Sequence, residues 1–208
     1  MSNLGYYGFR VHRAEGSDIM ANIEPMKVAT AYQAQDDLGG FSVDLQIGDP
    51  VDLVAAGTVG LANGGETPYG IVMGVLRYHD GNDLKIGGKR LPGGTTWTQL
   101  QYASWVQVIP VSKCDWKICC DSLGTPPTTE VGWQALVGKN AVHTCVGVAA
   151  TKDANPKLDN TTAVTAVHEW RIMSILPGQD YDAANVEVVV RANFSSEPGW
   201  AATPSVGV

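Results

Sequence analysis

GDPVDLVAAGTVGLANGGETPYGIVMGVLRY, residues 48–78, decides the fold, because its apolar residues come in strand-length runs broken by turn residues. Gly48-Asp49-Pro50 reads as a turn. Its proline lacks an N–H and holds φ near −65°, so it opens a strand at 51–54 and does not sit inside one. Ala55-Ala56-Gly57 turns the chain back into a second strand at 58–61. A Gly/Asn/Glu loop at 62–68 then leads to a longer apolar run at 69–78. Three antiparallel strands in about thirty residues, with no residue placed like a catalyst, predict a β-meander at the centre of a mainly β domain.

Upstream, Phe41, Val43, Leu45 and Ile47 alternate with Ser42, Asp44 and Gln46, the pattern of a half-buried strand. Residues 24–34 predict another strand. Downstream, 79–94 is rich in Gly and Asp and predicts a surface loop with a hairpin tip at Asp80-Gly81. The β-rich runs WVQVIPV (105–111) and WKICC (116–120) flank a short polar turn and predict a hairpin in the core. VGWQALVG (131–138) has the one helical spacing in the chain. Strands are predicted at 143–150, 161–167, 169–176 and 185–194, with a polar loop at 151–160. The fold class expected is a single β-barrel or sandwich of about ten short strands with long loops. Its parts are an N-terminal arm or edge strand (1–13), a β-domain (14–194) and an extended, Pro- and Gly-rich C-terminal tail (195–208).

Only 17% of the 208 residues are charged, below the roughly 25% of an average domain, and the net charge is −7. A charge-poor surface suits a protein that meets other proteins over much of its area. Nucleic acid and anionic membranes are not expected partners, since both need clustered Lys and Arg and the chain has no basic run. No stretch reaches the ~20 apolar residues of a membrane span, and residues 1–13 lack the pattern of a secretion signal. Cys114, Cys119, Cys120 and Cys145 are therefore expected as reduced thiols.

Several constellations invite a chemical reading. Cys114, Cys119, His143 and Cys145 could form a zinc site, but adjacent Cys119 and Cys120 point to opposite faces of a strand, and packed thiols are the expectation. Carboxylate and imidazole groups at His168-Glu169, Asp36-Asp37 and Asp180/Asp182 have no nucleophile context, and no GxSxG, HExxH or phosphate-loop motif occurs, so no enzyme and no cofactor is expected. Asp80, Asn82 and Asp83 read as a solvated turn in preference to a calcium site. Of the six tryptophans, Trp97, Trp105, Trp116, Trp133 and Trp170 lie in or beside apolar runs and are expected in the core, whereas Trp200 lies in the tail. Tyr6, Tyr7, Phe9, Arg10 and Arg13 crowd a segment too short to fold alone. They form either a docking arm or a first strand tucked into its own sheet, and with Trp200 they are the candidate contacts to a partner.

GYYGFRVHR (5–13), GDPV (48–51), the short GTV hairpin and PYGIVMGVLRY (68–78), followed in order by WVQVIPV, DWKICCD, EWRIMSILPG and ANVEVVVRANF, resemble the small head decoration, or cement, proteins of tailed bacteriophages. The chain departs from that pattern at Val11, where a proline is expected after Arg10. The resemblance implies a non-catalytic virion protein on the outer capsid surface, assembled in the host cytoplasm. It would bind the assembled major capsid protein lattice and neighbouring copies of itself, and stabilise the head by bridging subunits. The alternative is a carbohydrate-binding or adhesin-like β module, suggested by low charge and abundant Trp and Tyr.

Overall fold

Asp49 builds the turn that starts the central meander: its carboxylate accepts the backbone N–H of Gln46 at 2.8 Å while its own N–H reaches the Gln46 carbonyl at 3.1 Å. The computed structural model describes residues 8–14, 22–28, 44–54, 57–62, 64–65, 68–80, 83–91, 104–120, 125–145, 156–164, 168–182 and 186–193. In chain order the strands are β1 (Arg10–Ala14), β2 (Glu24–Lys27), β3 (Leu45–Gln46), β4 (Pro50–Val54), β5 (Thr58–Leu61), β6 (Gly70–Asp80) and β7 (Asp83–Ile86). They continue with β8 (Arg90–Leu91), β9 (Trp105–Pro110), β10 (Cys114–Cys119), β11 (Asn140–Cys145), β12 (Pro156–Val164), β13 (Trp170–Ile175) and β14 (Glu187–Ala192). One short helix, α1 (Glu130–Gln134), is capped by the Thr129 hydroxyl, which accepts from the Gly132 N–H at 3.2 Å.

The strands form two large antiparallel sheets and one small one. The N-terminal sheet runs β2-β9-β6-β4-β5, with β7 paired to the far half of β6, and the C-terminal sheet runs β1-β10-β14-β13-β11-β12. A two-stranded sheet of β3 and β8 lies beside them. The protein is mainly β, as its alternation predicts, but the barrel alternative does not hold. Each large sheet curls onto itself at a single parallel bridge: Val28 with Val59 links the two end strands of the N-terminal sheet, whereas Cys120 with Leu158 links the end strand β12 to the residue after β10, the second strand from the other end, and no continuous ladder closes either. The arrangement is that of a sandwich of two curled sheets.

Two apolar clusters follow from the pleat. Val72, Val106 and Val108 turn inward within the N-terminal sheet and pack with Val51, Val59, Leu45 and Leu91. Ile71 and Ile109 point out of the opposite face of the same strands and enter the C-terminal core with Phe9, Trp116, Ile118, Trp133, Trp170 and Ile172. These two isoleucines therefore belong to both sheets at once.

Three local expectations are corrected. The runs at 105–111 and 116–120 form β9 and β10, but these do not pair as a hairpin. Val111–Lys113 makes a 3-10 turn that carries the chain from one sheet to the other, held by the Trp116 indole N–H on the Val111 carbonyl at 3.2 Å. Both runs are apolar because each is buried in its own sheet. Strand β12 begins at Pro156, inside the predicted polar loop, where Leu158 and Asn160 turn inward and Lys157 and Asp159 are only half-buried. Of the alternating run at 41–47 the structure describes a two-residue strand. Leu45 is buried, but Ile47 enters the Asp49 turn and is 40% exposed, leaving the face it was expected to share. Of the two alternatives for the N-terminal segment, residues 10–13 take the edge strand: β1 is the edge of the C-terminal sheet, paired with β10. The tail at 195–208 lies outside the described residues.

Candidate functional site

A buried polar cluster sits where the two sheets meet. Glu169, just before β13, directs one carboxylate oxygen at three groups: the backbone N–H of His143 at 2.9 Å, the backbone N–H of Gly65 at 3.2 Å, and His143 Nδ1 at 3.0 Å. On the other side of the ring, His143 Nε2 lies 3.1 Å from the Ala62 carbonyl oxygen. A carbonyl only accepts, so Nε2 carries a proton and donates it. The Trp170 indole N–H lies 3.2 Å from Nδ1, on the side of the ring that also faces Glu169. Cys145 Sγ also donates to the Ala62 carbonyl, at 3.5 Å. Gly64 passes so close that a Cβ there would lie 2.3 Å from the His143 carbonyl oxygen.

This cluster acts as a fastener between the sheets, with the His143 and Glu169 side chains 0% and 4% exposed. They tie the loop after β5, from the N-terminal sheet, to β11 and β13 of the C-terminal sheet. Sequence reading grouped His143 with the cysteines and Glu169 with His168. The structure instead brings His143 and Glu169 together, and His168 contributes only its carbonyl, to the Asn193 amide at 2.9 Å. All four cysteines are buried thiols, and among the described residues no group of three or more His, Cys, Asp or Glu side chains is placed to hold a metal. Burial, then the neighbouring Glu187 carboxylate, push the Cys119 thiol up to about 11. The Tyr69 hydroxyl is likewise pushed up by burial and by its hydrogen bond to Glu24.

The expected partner contacts divide. Phe9 is 1% exposed, with its ring 4.5 Å from that of Trp170 and 6.5 Å from that of Trp116, so it is a core residue and not a docking group. Its N–H donates to the Gly48 carbonyl at 2.8 Å, where Gly8 and Gly48, both at positive φ, let the two backbones touch. Arg10 pairs with Glu187, and Arg13 is exposed on the edge strand. Tyr6, Tyr7 and Trp200 lie outside the described residues, as do Trp97, Asp36, Asp37 and Asn82. Trp116, Trp133 and Trp170 are core residues, which removes three members of any sugar-stacking platform.

The described surface with interface chemistry was missed in the sequence. Beyond the area covered by the C-terminal sheet, the outer face of the N-terminal sheet carries a cross-strand row: Lys27 opposite Trp105, Trp105 opposite Arg77, and Arg77 opposite Ile86. Directly opposed residues share a face, and Leu84, two residues before Ile86, joins them. Ile86 is 80% and Leu84 51% exposed, and the Arg77 guanidinium lies 5.8 Å from the centre of the half-buried Trp105 ring. Its signal in the sequence was DLKI (83–86), an alternating run inside a stretch that its glycines mark as loop. No family model, curated protein or solved structure matches the chain.

Proposed function

We propose that the protein is a capsid decoration protein of a tailed phage, bound to the outside of the assembled head. The observation that carries this reading is the order of motifs from GYYGFRVHR through GDPV and PYGIVMGVLRY to ANVEVVVRANF, which resembles the decoration proteins along most of the chain. Two physical features support it. The buried pair of His143 and Glu169 is spent on joining the sheets. The face of half-buried Trp105 with exposed Arg77, Leu84 and Ile86 brings together an aromatic ring and a guanidinium, the residue types enriched where binding energy concentrates at protein interfaces. Bridging of neighbouring capsid subunits by many copies would stabilise a shell through repeated modest contacts, without a cofactor or a reaction.

The test is location. Density maps of purified particles with the protein present and genetically removed should differ by protrusions on the outer shell, and particles lacking it should open at lower temperature. Identical maps, or difference density on the tail or inside the shell, overturn the proposal.

A further inference from the structure

We propose that the outer face of the C-terminal sheet binds an acidic polysaccharide, one whose sugars carry carboxylates among their hydroxyls. Residues directly opposed in neighbouring strands share a face. The register sets Arg10 opposite Lys117 and Arg13 opposite Asp115 between β1 and β10, and Arg171 opposite Arg191 between β13 and β14. Lys117 in turn opposes Val189, two residues from Arg191, so these side chains leave the sheet together, on the side away from Trp116, Val190 and the core. The Arg191 guanidinium forks onto Asp115 at 2.6 and 3.0 Å, and Arg10 pairs with Glu187. Among the described residues Arg13 and Lys117 form no ion pair.

Two like-charged pairs, Arg10 with Lys117 and Arg171 with Arg191, thus stand directly across from each other on one face, an arrangement that costs a sheet stability. It occurs in a chain of net charge −7, and an anion lying over the face converts the cost into attraction. No basic run marks the face in the sequence, because four strands assemble it from positions as far apart as 10, 117, 171 and 191. The carboxylates standing among the cations select the kind of anion. Nucleic acid, with a charge every ~1.7 Å, would set phosphates against Asp115 and Glu187 and would meet the negative field of the whole chain. An acidic peptide has the carboxylates but few hydroxyls. A sugar acid carries its charge sparsely, presents a planar carboxylate to the guanidinium groups, and donates its hydroxyl protons to Asp115 and Glu187. Strands ~4.8 Å apart set Arg13 and Arg171 about 14 Å from each other along the sheet, so the cations are spread for a polymer and not for a single small anion. The site rests on charge and not on aromatic stacking, and it goes beyond the capsid reading without depending on it.

Isothermal titration calorimetry of the full chain with polygalacturonate tests it, with dextran, duplex DNA and polyglutamate as comparisons. Polygalacturonate should bind, more weakly as salt rises, and more tightly than duplex DNA or polyglutamate at equal concentration of charge, while neutral dextran should not bind. Arg13→Ala, an exposed change on the edge strand, should weaken binding about threefold, and Arg13→Ala with Lys117→Ala about tenfold. Neither variant should melt below the wild type, because neither side chain holds an ion pair and the second change removes a like-charge contact. Absence of polygalacturonate binding at low salt, duplex DNA or polyglutamate bound as tightly, or variants that bind like the wild type overturns the proposal.

Discussion

Glu169 satisfies more of the interior than a single carboxylate ordinarily does, since one oxygen serves two backbone N–H groups and a ring nitrogen. Replacing it with alanine strands all three where water does not reach. Glu169→Ala should cost about 3–5 kcal/mol, whereas Glu169→Gln, whose amide oxygen can still accept the backbone donors, should cost clearly less in urea denaturation. Equal losses would show that charge, and not acceptor placement, is what the site needs. The Cys119 thiol makes a second prediction. Unfolding returns it to its ordinary value of 9.0, so from there to about 11 the unfolded chain releases a proton that the folded chain keeps. This contribution to stability is complete below that window and is lost as pH rises through it. The urea midpoint should drop more steeply across the window for the wild type than for Cys119→Ala, and parallel curves would rule the thiol out.

Strand β1 shows what a short segment gains from its neighbours. It adds a fifth antiparallel partnership to the C-terminal sheet, and Phe9 just ahead of it fills the space among Trp116, Trp170 and His143. Deleting residues 1–13 should therefore lower the melting temperature markedly, since loss of a buried Phe alone costs about 3–5 kcal/mol. A truncated chain that melts with the wild type would mean that these residues are dispensable for the fold. Elements with strict local signals were legible: the Asp49-Pro50 turn, β4 and β5, the core of β6, and β14 with its run of valines. Illegible were features that depend on distant partners. Nothing local in WVQVIPV or WKICC states that they enter different sheets, because an apolar run reports burial and not its neighbour. DLKI (83–86) was hidden by flanking glycines, and with it went the outer face of β6 and β7. The His143 and Glu169 contact spans twenty-six positions and has no motif.

Across the whole molecule, Ile71, Ile109, Phe9 and the Ala62 carbonyl are the points at which one sheet is finished by the other. Separating the sheets would expose these groups together, so the two should open as one unit. In native-state hydrogen exchange, the slowest amides of β9 and of β14 should report opening free energies within about 1 kcal/mol of each other. A larger gap would show sheets that open independently. The strand order sets a schedule as well. Strand β10 lies between β1, at residues 10–14, and β14, at residues 187–192, so one of its edges stays open until β14, about seventy residues later, has been made. A chain still on the ribosome holds β1, β9 and β10 with no β14 to close the row, and its Ile71 and Ile109 face water. Ordering of the C-terminal sheet therefore waits on a strand distant in sequence, and until β14 is made the nascent chain needs protection.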